Sequence, residues 1–144
     1  MITSACSILL LSDIAQAQSD RPSEEELVQA LQKVRTTISL TARTNAAEHV
    51  APLTRRMDPQ NVSDTTVGGL VSLLNTNEDS VRAWVAASLG NLGPRAKAAV
   101  PALLKLLPEV DCLRGSLTSA PFIRLALERI GETPPPRPKC TGKD

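Results

Sequence analysis

The chain reads VGGLVSLLNTNEDSVRAWVAASLGNLGPRAKAAVPALLKLL from residue 67 to residue 107, and this stretch decides its fold. Its opening segment, VGGLVSLL at 67–74, recurs 33 residues later as VPALLKLL at 100–107. A second segment, WVAASLGNLG at 84–93, recurs 38 residues later as FIRLALERIG at 122–131. Such a period is typical of stacked helix pairs that bury their apolar faces only against each other. The sequence therefore predicts an all-α fold, a short α-solenoid of antiparallel helix pairs with about six helices.

Composition agrees with one helical domain. The 144 residues are 42% hydrophobic but only 1% aromatic, and Leu, Ala and Val favour helices over sheets. The net charge of +1, from 16 basic and 15 acidic residues, argues against a nucleic-acid binder, which usually carries a large basic excess. No apolar run is long enough to predict a membrane-spanning helix.

The first residues have the pattern of an export signal. An apolar run at 8–11 precedes AQA at 15–17, a small-residue cleavage site, so residues 1–17 are interpreted as a secretory signal peptide. The mature chain would then start at Gln18 and be periplasmic or secreted. Because no Lys or Arg precedes the run, the alternative is a hydrophobic first helix of a cytoplasmic protein.

Export would leave the mature chain with two cysteines. In an oxidising compartment Cys112 and Cys140 are expected to form a disulfide, and the alternative is two free thiols without a shared role. The bond would hold the Pro-rich tail, residues 132–144, against the loop before the last helix.

The remaining helices are predicted from caps and periodicity. Residues 18–62 are assigned to N-terminal capping helices and residues 63–131 to the repeats. Ser23, followed by three glutamates, starts the first helix. The apolar face of that helix is predicted to hold Leu27, Leu31, Val34 and Ile38.

Further along the chain, turn-forming and capping residues predict where helices begin and end. Asn77 or Asp79 is expected to cap the helix that contains Trp84. Gly93 and Gly131 are expected to end helices, and Pro108 is expected to stop another.

The two aromatic residues of the chain occupy equivalent positions under the 38-residue offset. Trp84 and Phe122 each have apolar neighbours three and four residues away, so both are predicted to be core residues between adjacent helix pairs. The alternative is a functional aromatic platform.

Residues 81–107 resemble the HEAT-like repeats of the phycobilisome-lyase type. The resemblance lies in VRAWVAASLGNLGP at 81–94 and AVPAL at 99–103, which follow that family's Val-Arg, Ala-rich, Leu-Gly-x-Leu-Gly and Val-Pro-x-Leu pattern. It implies an α-solenoid whose surface binds another protein. The family includes lyases that attach pigments, but the repeat itself carries no catalytic residue to transfer.

No set of residues predicts catalysis, a metal or a cofactor. The single histidine, His49, has no ligands at zinc spacing and no nucleophile motif beside it, so it is interpreted as a surface or partly buried helix residue. The protein is therefore predicted not to be an enzyme.

Five basic residues within the repeats are candidates for binding an acidic partner, if several face one side. Acidic residues interleaved with them favour instead an ordinary solvated helical face. The candidates are Arg82, Arg95, Lys97, Lys105 and Arg124.

The function expected from the sequence is a non-catalytic binding or scaffolding module that recognises another protein through one face of the solenoid. One alternative is an accessory to a lyase-like enzyme system that presents a small-molecule or pigment group in a deep apolar pocket. Another is a terminal domain of a longer repeat array, which would expose apolar residues around 27–38.

Overall fold

A computed structural model of the chain describes residues 20–114 and 118–140. Within those two ranges all regular secondary structure is helical and there is no β-strand, which confirms the predicted all-α class. The predicted signal peptide, residues 1–17, lies outside the described residues, as does the end of the tail beyond residue 140.

The α-helices follow one another with short connections. We label them in chain order as α1 (Glu24–Thr36), α2 (Leu40–Arg56), α3 (Asp64–Leu73), α4 (Asp79–Leu92), α5 (Val100–Val110) and α6 (Ala120–Ile130). Short 3-10 helices, Pro59–Asn61 and Gly93–Ala99, precede α3 and α5. Residues 132–140 form no regular secondary structure.

Helix α4 is the centre of the packing, because it contacts α2 on one side and α6 on the other. The three helices run in the same direction. Thr44 and Ser80 join the first turns of α2 and α4, with their hydroxyls 2.9 Å apart, while Asn91 joins the last turns. Helix α1 packs against α2 and α3, α3 against α4, and α5 against α6.

The core is built almost entirely from aliphatic side chains. Leu89 and Leu92 of α4 are fully buried, as are Leu27 of α1, Leu103 of α5 and Leu127 of α6. These residues belong to a single continuous cluster that runs from α1 to α6. Each helix buries its apolar side chains against its neighbours, and the central helix α4 does so on more than one side.

Several of the predicted helix ends are confirmed. Ser23 and Glu26 form a reciprocal capping box at the start of α1, and the Ser63 hydroxyl accepts a hydrogen bond from the Thr66 amide at the start of α3. Gly93 and Gly131 follow α4 and α6 with φ angles of +56° and +105°. Glycine adopts positive φ without the steric cost of a Cβ, so both ends follow from local sequence.

The prediction that Ile38 belongs to the buried face of α1 is wrong. The helix ends at Thr36, and Ile38 lies in the connection to α2 with 97% of its surface exposed. The hydroxyls of Thr36 and Thr37 donate to the carbonyls of Gln32 and Lys33. Such hydrogen bonds from Thr side chains to carbonyls one turn earlier compete with continued helix, and the helix ends here although the apolar pattern continues to Ile38.

The predictions for Pro108 and for the cap of α4 are also wrong. Helix α5 continues past Pro108 to Val110, because Pro108 is exposed while Leu107 and Val110 are fully buried. Burial of the last turn outweighs one missing hydrogen bond near the helix end. Helix α4 is preceded by Glu78, which makes no side-chain cap. The Asp79 carboxylate instead accepts hydrogen bonds from the amide and hydroxyl of Ser119, at the start of α6.

A carboxylate between α1 and α3 makes stability depend on pH. Glu24 accepts hydrogen bonds from the Ser63 amide (2.8 Å) and the Thr66 hydroxyl, and these bonds lower its pKa below the ordinary value. A carboxylate whose pKa is lower in the folded than in the unfolded state stabilises the fold at pH values above its unfolded-state pKa. That stabilisation is lost as the pH falls through the folded-state pKa. Because Glu24 is partly exposed, we expect a small effect.

The change Glu24→Gln is expected to destabilise the protein near pH 7 and to matter much less near pH 3. Urea unfolding at both pH values measures this difference. The control is Glu25→Gln, because Glu25 lies on the same turn and its one side-chain hydrogen bond among the described residues is a long one from Gln29, at 3.4 Å. An equal effect of Glu24→Gln at both pH values would contradict the assigned role.

Candidate functional site

An open groove of about 620 Å³ lies across α2, α4 and α6, and none of its lining residues belongs to α1, α3 or α5. Its volume exceeds that of four other depressions on the described surface, which measure about 160, 380, 260 and 250 Å³. Its lining combines apolar, amide and charged side chains: Glu48, His49, Pro52 and Arg55 from α2, Trp84, Ala87 and Asn91 from α4, and Phe122, Leu125 and Arg129 from α6.

The groove is a trough because the central helix carries small residues there. Ala87 and Gly90 of α4 line it, while longer side chains on α2 and α6 stand on either side. Gly90 also allows α4 and α6 to approach closely, since a Cβ built on it would lie 3.0 Å from the Cα of Ala126. The shape of the groove therefore depends on residue size along one helix.

Trp84 and Phe122 form an aromatic pair at one level of the groove. Their ring centroids are 6.1 Å apart and the ring planes meet at 46°. Both pack against the core, but both are only partly buried and line the groove. The prediction that they are simply core residues is therefore incomplete, because each ring has one face in the core and another toward the groove.

Asn91 links the three helices at the other level of the groove. Its amide nitrogen donates to the Ala51 carbonyl (2.9 Å) and to the buried Thr54 hydroxyl (3.3 Å). Its amide oxygen accepts a hydrogen bond from Arg129 Nη1 at 3.1 Å. This arrangement uses the whole Asn91 side chain and holds the Arg129 guanidinium in place, although Arg129 is exposed.

Charge is distributed unevenly along the groove. Glu48 and His49 lie near the level of Trp84, whereas Arg55 and Arg129 lie at the level of Asn91. Asn91 follows Trp84 by seven residues, and Arg129 follows Phe122 by seven. Seven residues are two helical turns, or about 10 Å. The groove therefore has an aromatic level, at Trp84 and Phe122, and a cationic level, at Arg55 and Arg129, about 10 Å apart along the same face. Arg55 makes no ion pair or side-chain hydrogen bond within the described residues.

Two of the five basic residues predicted to bind a partner already make polar contacts within the protein. Arg124 is buried, and its guanidinium donates to both Asp111 carboxylate oxygens (3.0 and 2.6 Å) and to the Pro135 carbonyl. Arg95 donates to the Val62 carbonyl and pairs with Asp64. These two arginines connect elements of the fold.

The other three basic residues are more available. Arg82 and Lys105 line a shallow depression of about 160 Å³ between α4 and α5, together with Glu109. Arg82 Nε is buried there without a hydrogen-bond partner among the described residues. Lys97 is exposed on the 3-10 helix before α5. The structure thus brings Arg82 and Lys105 together, away from the groove.

The structure pairs Cys112 with Cys140, as predicted, with the sulfurs 2.07 Å apart and the Cα atoms 5.4 Å apart. Together with the bond from Arg124 to the Pro135 carbonyl, the disulfide holds residues 132–140 against the start of α6. Labelling of the unreduced, denatured protein with a thiol reagent is expected to modify neither Cys112 nor Cys140. Modification of both would contradict the pairing.

Neither a metal site nor a membrane span is found in the described part of the chain. Residues 20–114 and 118–140 contain no group of three or more His, Cys, Asp or Glu side chains placed to hold a metal ion. None of the helices in these ranges combines the length and the apolar character that crossing a membrane requires.

Comparison with known proteins gives no match: no protein-family model fits the chain, and neither a curated protein nor a solved structure is significantly similar to it.

Proposed function

We propose that the protein is a non-catalytic binding or scaffolding module, built as a short HEAT-like α-solenoid, that recognises another protein through the groove across α2, α4 and α6. The observation that carries this proposal is the groove itself, which combines partly exposed aromatic side chains with the cationic side chains of Arg55 and Arg129. Large, partly exposed aromatic and arginine side chains are the residues that contribute most to protein–protein binding.

Regular spacing of the tertiary contacts supports the repeat architecture. Side-chain links between successive helix pairs join residues 31 to 42 positions apart, from Arg95–Asp64, between the 3-10 helix before α5 and α3, to Glu24–Thr66, between α1 and α3. Asp79–Ser119 and Asn91–Arg129, between α4 and α6, lie 40 and 38 positions apart. In a solenoid each repeat contacts its neighbours in the same way, and this regularity is what repeated helix pairs would produce.

The groove suits a protein partner better than an enclosed ligand. A small-molecule or pigment group would be expected to occupy a pocket that buries most of its surface. The observed groove is open along one side, although its aromatic pair is the feature that favours this second candidate function. Solenoids typically bind partners on such extended open surfaces.

A third hypothesis, a terminal domain of a longer repeat array, is favoured by a different observation. Val28, Ile38 and Leu40 are exposed near the α1 end of the fold. Exposed aliphatic residues at one end of a solenoid could pack against a further repeat. Binding through the groove is compatible with this role, since the two surfaces are separate.

We also propose that the protein acts outside the cytoplasm. Disulfides persist mainly in oxidising compartments, and the Cys112–Cys140 pair supports this location. The N-terminal sequence of material recovered from the producing cells tests it. A chain that begins at Gln18 would support export, and an intact Met1 in a cytoplasmic fraction would contradict it.

Capture of a partner from the producing cells tests the groove directly. We expect Arg129→Glu to reduce recovery of a stoichiometric partner by about tenfold or more, because it reverses a charge at the groove. The matched control is Lys105→Glu, the same type of charge reversal at the depression beside Arg82. Quantitative mass spectrometry of proteins retained by the wild type and both variants measures the effect. A partner lost only with Lys105→Glu would contradict the proposal and favour the basic residues outside the groove.

A further inference from the structure

We infer that the occupant of the groove is an extended peptide segment of the partner, with an apolar side chain seated on Trp84 and Phe122 and a carboxylate paired with Arg129 and Arg55. This inference rests on the proposed function and specifies the chemistry that the same surface recognises. The aromatic side chains favour an apolar group, and the two arginines favour a carboxylate.

The aromatic level can accept an apolar side chain. Trp84 and Phe122 lie beside each other with tilted rings and both line the groove, so their free surfaces form one apolar area. Leu125, which is 43% exposed, extends this area along α6. Covering these surfaces removes apolar area from water, which favours association.

The cationic level can accept a carboxylate. Arg129 donates one N–H to Asn91. A guanidinium has five N–H donors, so further donors remain for a carboxylate. Its position is fixed in advance by Asn91, which is itself bonded to the backbone of α2. A preorganised arginine loses less conformational freedom on binding than a free one. Arg55 adds a second positive charge on the opposite wall.

The geometry of the trough favours an extended segment. The aromatic and cationic levels are separated by two helical turns, or about 10 Å. An extended peptide covers that distance in about three residues, at roughly 3.3 Å per residue. The apolar and acidic side chains of the occupant should therefore lie two to four residues apart, about 7 to 13 Å. Glu48, near the aromatic level, would repel an acidic residue in the reverse orientation.

Trp84 provides the signal for a binding test, because it is the only tryptophan in the chain and lines the groove. The probes are blocked peptides of about ten residues on a Gly/Ser background that lacks aromatic side chains. One carries a leucine pair and an aspartate pair three residues apart, and a second has lysines in place of the aspartates. A third keeps only the leucines, and a fourth keeps only the aspartates.

Titration of the full chain at low salt is expected to show the leucine–aspartate peptide binding about tenfold or more tightly than the other three, with a change in Trp84 emission. In the variant Arg55→Glu with Arg129→Glu, the preference should reverse toward the leucine–lysine peptide. The single variant Arg55→Glu should weaken the preference for the leucine–aspartate peptide. This variant breaks no hydrogen bond or ion pair among the described residues, so it tests the inference even if the double variant fails to fold. The control Lys97→Glu with Lys105→Glu, which reverses two charges outside the groove, should leave the order of the peptides unchanged.

Three results would overturn the inference: equal binding of the aspartate and lysine peptides, no binding of any probe at millimolar concentration, or the same shift in the control variant as in the groove variant. Failure here is distinguishable from failure of the proposed function. If the natural partner is lost with Arg129→Glu while the probes show no preference for acid, the groove binds the partner but recognises different chemistry. If the partner is retained by Arg129→Glu, the proposed function itself fails.

Discussion

Replacing Asp111 with alanine is expected to lower the free energy of unfolding by about 3 to 5 kcal/mol. The Asp111 carboxylate receives two hydrogen bonds from Arg124, and the two side chains are only 5% and 11% exposed. Without it, the Arg124 guanidinium would stay buried with its charge uncompensated. The cost comes from that unpaired charge, since the intact pair itself contributes little net stability.

Chemical denaturation followed by circular dichroism measures this effect, and Asp64→Ala is the matched control. Asp64 also pairs with an arginine, Arg95, at 2.6 Å, but its side chain is 94% exposed. An exposed ion pair contributes only about 0 to 1 kcal/mol, so the control should unfold almost like the wild type. Similar losses for the two variants would mean that burial does not set the cost of breaking these pairs.

The second large effect is expected from Gly90→Leu, which should destabilise the protein by about 3 kcal/mol. A Cβ at residue 90 would lie 3.0 Å from the Cα and 3.3 Å from the Cβ of Ala126. The neighbour at 3.0 Å is backbone, which cannot rotate away, so α4 and α6 would have to separate. That separation would also disturb the groove, because both helices line it.

The control for this change is Gly68→Leu. Gly68 also lies inside a helix, α3, but a Cβ there would meet nothing within 4 Å. Leucine is a better helix former than glycine by up to about 1 kcal/mol, so this variant should be equal to or more stable than the wild type. Thermal unfolding should therefore show a lower midpoint for Gly90→Leu and an unchanged or higher midpoint for Gly68→Leu. A harmless Gly90→Leu would contradict the close approach of α4 and α6.

Features of the fold that depend on local sequence could be predicted. Ser23 with Glu26, and Gly131 at the end of α6, follow rules that involve only neighbouring residues. The apolar period placed Leu27, Leu31 and Val34 correctly in the core. These signals do not require knowledge of which helix packs on which.

Predictions failed where tertiary packing overrides a local rule. Pro108 should have ended α5, but burial of Val110 keeps the last turn helical. Arg124 was predicted as a surface residue, and it is buried because Asp111, 13 positions earlier, reaches it from the end of α5. Nothing in the local sequence around either residue indicates this pairing.

The groove could be predicted in part. The 38-residue offset that aligns Trp84 with Phe122 also aligns Asn91 with Arg129, and both pairs are in contact or hydrogen-bonded across α4 and α6. The contribution of α2 could not be predicted, because its repeat pattern is weak and the faces that meet are set by packing. Arg55 was therefore overlooked, and Trp84 was assigned to the core alone.

Site-specific photocrosslinking tests most directly the central claim that the groove across α2, α4 and α6 holds the partner. A benzophenone amino acid would replace Leu125, on the groove, or Leu104, on α5, two leucines that are 43% and 38% exposed. Irradiation in the producing cells is expected to join the partner to the chain labelled at Leu125 and not to the chain labelled at Leu104. A crosslink from Leu104 alone would contradict the claim and place the partner on α5, outside the groove.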